Sequence, residues 1–290
     1  PELLETLPES PLQRRGLAQQ PRTPASVLSA LASDVDVPVR RAAAANAATP
    51  IDALAHALTD ADAAVRRVLA ARRDLPPQWV ERLAADADEW VRRNLGRNPA
   101  CDAAVLARLA ADSATEVRRS VARHPHCPPA LQEGLAADPE PWVQAAVAYR
   151  DDLAPRLLRR LARSTDVDVL AGVARSTSAS PYLLRRLAGH ESDDVRRAVI
   201  LNPQAPLAVL RVLSRDPYAL HRAMVVEHAN FSPAARWRMR ADPDVQVRYR
   251  VFAFFARSKL QSQGADTAGA APAAIVSAAD SSPKDEKETR

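Results

Sequence analysis

One tripeptide returns along this chain at a fixed step of 26 residues, and that step constrains the fold more than any other feature. Val39-Arg40-Arg41 comes back as Val65-Arg66-Arg67, Val91-Arg92-Arg93, Val117-Arg118-Arg119 and Val195-Arg196-Arg197. Between the last two copies the pattern degenerates to Val143-Gln144-Ala145 and Val169-Leu170-Ala171. Beyond Val195 the register reads as looser, with Leu220-His221-Arg222 and then Val247-Arg248-Tyr249. Leu12-Gln13-Arg14 reads as a worn copy at the front, for about nine units in all. Self-similarity at a short fixed period is the mark of a repeat architecture.

Other positions keep the same step. Five residues before the anchor valine stands Asp: Asp34, Asp60, Asp86, Asp112, Asp138 and Asp242. Seven after it comes a turn-favouring polar residue (Asn46, Asn98, His124, Asn202), and eleven after it a proline (Pro50, Pro76, Pro128, Pro206). A leucine-rich stretch follows, as in Leu131…Leu135 and Leu184…Leu187. Each unit therefore reads as two short helices. Proline opens the first, where its missing N–H costs nothing. The recurrent Asp ends that helix, starts the turn and is placed to cap the next one. Val and Ala share one face of the second helix, which stops at Asn-Pro or His-Pro because the residue before proline leaves the helical region. Helices of roughly eight residues are unstable alone in water. Stacking neighbours buries the stripe that one unit leaves bare, so the expected fold is an all-α solenoid. Composition agrees: the chain has 24 Pro but only 7 Gly and 4% aromatic residues. Scarce aromatics argue against a β-sandwich, and seven scattered Gly leave little room for a Gly-rich phosphate loop.

The expected architecture is a right-handed superhelix of two-helix repeats, some of them 3₁₀, over residues 11–257. An extension over 1–10 precedes it. A bulky cap at about 230–257 closes it, built from Phe231, Trp237, Tyr249, Phe252, Phe254 and Phe255. The Ala/Ser/Asp-rich stretch 258–290 lacks periodicity and reads as a disordered tail.

The unit Cys-Pro-Pro-Ala-Leu-x-x-x-Leu-Ala-x-Asp-Pro-x-x-x-Val, from Cys127 to Val143, resembles the leucine-rich repeat variant family. More distantly the chain is similar to HEAT repeats, which carry an Asp followed six residues later by Arg. Asp34/Arg40, Asp60/Arg66, Asp86/Arg92 and Asp112/Arg118 keep that spacing. The likeness implies an architecture over about residues 11–257 and says little of activity. One branch of the variant family binds an iron–sulfur centre through an N-terminal cysteine cluster. No Cys precedes Cys101 here, so the resemblance brings no cofactor with it.

Of 40 basic residues only Lys259, Lys284 and Lys287 are lysines. Residues 261–290 hold five acids and three bases, which leaves 37 bases and 30 acids in the body, a modest surplus of seven. The first arginine of each pair (Arg40, Arg66, Arg92, Arg118) is expected to bond the recurrent Asp of its own or the next unit, as a structural ladder of charge-assisted bonds. The second (Arg41, Arg67, Arg93, Arg119, Arg197) lies about 100° round the helix and is expected to stand in an exposed row. Trp90 and Trp142 each precede an anchor valine two units apart, with Glu116 in the unit between. They are expected on the same side, beside Arg93 and Arg119.

Cys101 and Cys127 share one register position. Stacked helices lie about 8–10 Å apart and a disulfide needs Cα atoms within about 7 Å, so two free thiols and a reducing, cytoplasmic compartment are expected. His124-Pro125-His126-Cys127 offers potential ligands without a known zinc spacing, so no metal is assigned. No run approaches a membrane span, and the opening residues show no secretory pattern. Nucleophile elbows, His-Glu-x-x-His and paired Cys-x-x-Cys are missing. These readings point to a non-enzymatic scaffold that binds an unidentified protein partner, without cofactor or membrane, as a monomer. The alternative is nucleic-acid binding through the arginine row. A third reading, DNA-base excision as in HEAT-like alkylpurine glycosylases, finds no residue-by-residue match here.

Overall fold

A computed structural model describes residues 7–268. All secondary structure among them is helical. A lone helix, Pro11–Gln19, opens the stack, and nine helix pairs follow. The second helices of the pairs are Val37–Ala45, Ala63–Leu69, Glu89–Leu95, Thr115–Ala122, Pro141–Ala148, Val167–Arg175, Asp193–Ile200, Ala219–Glu227 and Val245–Ala268. Each packs on its counterparts in adjacent units, and these helices form one layer with Pro11–Gln19. The first helices, from Ala25–Leu31 to Pro233–Arg238, form the other layer. Ile51–Thr59 is the expected 3₁₀ variant of a first helix.

The core lies between the layers. Anchor residues Val39, Val65, Val91, Val117, Val143, Val169, Val195 and Val247 are all buried. So are the residues four further on, such as Leu69, Leu95, Val121 and Val225. Each such side chain contributes about 1.5–3 kcal/mol by leaving water. The register does not loosen after Val195. His221 stands at the next 26-residue step in the anchor's place, buried, with Nδ1 3.2 Å from Asp216 Oδ1. A polar residue in the anchor slot hides the period from a search for valine.

Successive second helices meet through small residues. The side of Gly96 faces Ser120 in the next unit, and Gly172 faces Ala148 in the previous one. The recurrent Asp does not cap the second helix. The cap is the residue two positions later: Asp36, Asp62, Asp88, Asp166 and Asp244 each accept a backbone N–H in the first turn. The recurrent Asp instead accepts the N–H of that residue, as Asp34 does from Asp36 at 2.9 Å and Asp86 from Asp88 at 2.8 Å.

At the C-terminal end Trp237 meets Phe255 and Phe252 edge-on, at 5.3 and 6.1 Å between centroids. Phe231 is buried, but Phe252, Trp237 and Tyr249 remain exposed, so the aromatic cluster covers the end only in part. The last helix continues through Ala268, beyond the point where the sequence reading ends the fold. The rest of the expected tail, 269–290, and residues 1–6 lie outside the described residues. No helix among the described residues is long and apolar enough to cross a membrane.

Candidate functional site

Two sets of polar side chains tie unit to unit. In the first, the ladder arginine reaches forward. Arg14, Arg40, Arg66, Arg92, Arg118 and Arg222 each grip the carboxylate of the Asp 20 residues ahead with two N–H bonds, as in Arg92 Nε to Asp112 Oδ2 at 2.6 Å and Nη2 to Oδ1 at 3.0 Å. Nη1 of most of these arginines also donates to the carbonyl of its own unit's Asp, as Arg92 does to Asp86 O at 2.7 Å. The guanidinium therefore pins the turn of one unit to that of the next. Burial alone would raise the Asp60 and Asp112 carboxyls. The bonds from Arg40 and Arg92 and from the backbone N–H outweigh it and hold both below the usual carboxylate range. Arg196 reaches Asp216 the same way at 2.7 Å.

The ladder fails at two places, and each failure removes both partners. Gln144 replaces Arg where Ser164 replaces Asp, 20 residues ahead, and Leu170 and His190 occupy the two positions one unit later. Neither gap leaves a lone charge, which is the arrangement that would cost most.

The second set involves the positions that the sequence marks only as turn-favouring. In most units the residue seven after the anchor reaches back and donates to carbonyls at the end of the preceding unit's second helix. Asn98 Nδ2 bonds Ala70 O and Arg72 O at 2.8 and 2.5 Å, and Asn202 bonds Ala174 O and Ser176 O at 2.7 and 2.9 Å. Asn46, Arg72 and Arg150 do the same. These bonds satisfy the orphan carbonyls of a helix end. His124 Nδ1 accepts from the His126 N–H, so Nε2 carries the proton that bonds Asn98 O at 3.0 Å. The recurring chemistry is an amide or guanidinium donor 28 and 26 residues from its two acceptors, or an imidazole 26 from its one, a separation that no local pattern reveals.

Cys101 and Cys127 are unpaired and buried. They share their register with Thr49, Leu75, Leu153 and Ala205, all buried, so the position is a core slot. Burial pushes the Cys101 thiol up to about 12.

The second arginines do not form a continuous exposed row. Arg41 and Arg197 are exposed, but Arg67 is clamped by Asp88 in a bidentate pair whose Nε–Oδ1 arm is 2.9 Å. That bond holds the Asp88 carboxyl at about 2. Ala145 and Ala171 interrupt the row. Arg93 and Arg119 are drawn into a different arrangement. Arg93 lies 4.9 Å from the Trp90 ring within its own unit, and Arg119 lies 4.9 Å from Trp142 of the next unit. Glu116, between them, reaches Arg119 at 3.2 Å and Arg93 at 3.4 Å. The result is a stack across three units in the order Trp90, Arg93, Glu116, Arg119, Trp142. The tryptophans stay 41% and 57% exposed. Beside the stack, Arg97 and Arg123 line a cleft with Arg93, Arg119, Glu116 and Ser120. These two arginines are inconspicuous in the sequence because their register position holds Arg only at Arg97, Arg123 and Arg175 and varies among Ala, Tyr, Leu and Glu in the other helix pairs.

Residues 93–151 match the family model for the leucine-rich repeat variant domain. The match falls on the units around Val117 and Val143, where the motif resemblance also lies. No curated protein matches the chain. Among solved structures the chain is similar to one described as a leucine-rich repeat variant with a novel repetitive protein structural motif. The two share 25% identity over 84% of this chain and 86% of that one, with a TM-score of 0.47.

Proposed function

We propose that the chain is a non-enzymatic scaffold that docks a protein partner on the second-helix face around Trp90 and Trp142. The carrying observation is the five-residue stack. Two exposed tryptophans stand two units apart, each with a guanidinium beside its ring and both guanidinia braced by one carboxylate. Tryptophan and arginine dominate the energetics of protein interfaces, and side chains braced before binding lose less freedom on docking. The neutralisation of Arg67 by Asp88, together with the gap at Ala145 and Ala171, weighs against a phosphate track along the stack. Unpaired Cys101 and Cys127 are compatible with the reducing cytoplasmic compartment that goes with this reading, as does a monomeric chain.

The test is a photo-crosslinker (benzoylphenylalanine) at position 149, an exposed site close to Arg123, compared with the same group at position 35. In lysate of the producing cells, the expected result is protein adducts at 149 that survive nuclease and do not form at 35. Equal labelling at both positions, or adducts to nucleic acid alone, would overturn the reading.

A further inference from the structure

The stack accounts for Arg93 and Arg119 but leaves a surplus of charge beside it. Four guanidinium groups and Ser120 line the cleft against one carboxylate, Glu116. Glu116 is already shared between Arg93 and Arg119. Arg97 and Arg123 are exposed and make no ion pair with any described residue. The Nε of Arg119 is buried without an acceptor. Along the ladder Arg14, Arg40, Arg66, Arg92, Arg118 and Arg222 each have a carboxylate of their own, whereas in this cleft four guanidinium groups have one among them, so the cleft carries positive charge that an external acid would meet.

We infer that this cleft receives an extended acidic segment of the protein partner, with two carboxylates on Arg97 and Arg123 and an apolar side chain on each of Trp90 and Trp142. The inference rests on the protein-docking reading above and supplies the chemistry of the docked segment. Charge selects the acid. The length follows from the spacing of the tryptophans. Two helix-packing steps of about 8–10 Å place them about 16–20 Å apart. An extended chain rising about 3.3 Å per residue crosses that distance in about six residues. Side chains alternate along such a chain, so the residues facing the cleft are the first, third, fifth and seventh. The predicted motif is apolar-x-acid-x-acid-x-apolar. The Arg123 guanidinium is held below its usual value by burial and by the neighbouring Arg119 and Arg97, so an incoming carboxylate relieves a repulsion already present.

The probe is a fluorescein-labelled heptapeptide, Leu-Ser-Glu-Ser-Glu-Ser-Leu, titrated with the full chain by fluorescence anisotropy. Saturable binding that weakens as salt is raised is expected, because the paired groups are exposed. The R97A/R123A variant should bind about tenfold more weakly or worse, since two charge-assisted bonds are lost. R41A/R197A, which removes two exposed arginines outside the cleft, should bind as the parent does. Circular dichroism checks that both variants are folded. The inference falls if the peptide fails to saturate, if R97A/R123A binds it as tightly as the parent, or if a peptide with Gln for both Glu binds equally well. An oligothymidylate bound more tightly than the peptide also sinks it, in favour of nucleic acid. Protein adducts at position 149 with a failed peptide titration would refute the acidic segment alone, whereas missing protein adducts would refute the docking reading itself.

Discussion

Arg92 and Asp112 are buried enough, at 16% and 9% side-chain exposure, for the loss of either to leave a poorly solvated charge behind. Arg92→Ala or Asp112→Ala alone should each cost about 3 kcal/mol, the lower end for breaking a buried pair. The chain itself indicates a cheaper way to remove the link, because Gln144 and Ser164 occupy the same two positions elsewhere. The double variant R92Q/D112S should therefore cost clearly less than the sum of its singles. Urea titrations arranged as a double-mutant cycle measure this, and strict additivity would show that the pair is not coupled. A second residue carries a pH signature. Burial holds the His124 imidazole below its usual value, while the unfolded chain titrates near 6.5. Protons then bind the unfolded state first. The contribution of His124 is complete above about pH 6.5 and is lost as pH falls through the lower folded value. His124→Asn, which places the residue found at Asn98 and Asn202 in the same slot, keeps a donor and removes the proton. Between about pH 7.5 and about pH 5 the variant should lose less stability than the parent. Parallel losses would mean that His124 is not the titrating group.

Each helix of seven to nine residues persists because a neighbour lies close against it, and glycine reveals how close. A Cβ on Gly172 would stand 2.7 Å from Ala148 Cβ and 3.1 Å from the Tyr149 ring. Neither neighbour has a flexible end that can swing away. Gly172→Ala should cost about 1–3 kcal/mol by overpacking, although alanine is the better helix former. Gly134 makes the internal control, since a Cβ there meets nothing within 4 Å. Gly134→Ala should stabilise by up to about 1 kcal/mol. Thermal unfolding of the two variants should move in opposite directions, and a shared direction would show that propensity, not approach distance, governs both. The tight seam at Gly172 falls where the ladder is missing, so close apolar packing stands in for ion pairs along that stretch.

At the scale of the whole stack, what could be read from the sequence was whatever repeats at the anchor. The 26-residue step, the two layers, the pairing of ladder arginine with recurrent Asp and the common side of Trp90, Glu116 and Trp142 all follow from register, whereas the forward direction of the grip, into the next unit rather than the arginine's own, does not. What stayed hidden depends on residues in different units exchanging roles. At the last unit Phe254 stands where Asn or Arg elsewhere caps the preceding helix, and Arg236 stands where the core Leu210 and Leu184 stand in earlier units. Arg236 lies over the Phe254 ring at 4.0 Å and bonds Val226 O at 2.7 Å and His228 O, the carbonyls that position 254 would otherwise cap. Either residue alone reads as a misfit, and only the pair explains both.

The same exchange of means divides the molecule under acid. Units on either side of residues 141–200 are joined by Arg–Asp pairs whose Asp60, Asp112 and Asp242 carboxyls sit below the usual range. Their contribution is full above about pH 3.9 and disappears as pH falls through the lower folded values. Between Val143 and Val195 the Arg–Asp grip is missing: Gln144 and Ser164, then Leu170 and His190, occupy its positions, and the close seam at Gly172 contains no carboxylate to protonate. Nearest-neighbour coupling lets one stretch of a solenoid open while another holds. At about pH 2.5, amide hydrogen exchange should therefore show protection lost first in the second helices before residue 123 and retained longest over 141–200. If protection fails uniformly, or fails first in that central stretch, the ion-pair ladder is not what joins the outer units, and the apolar seam is no substitute for it.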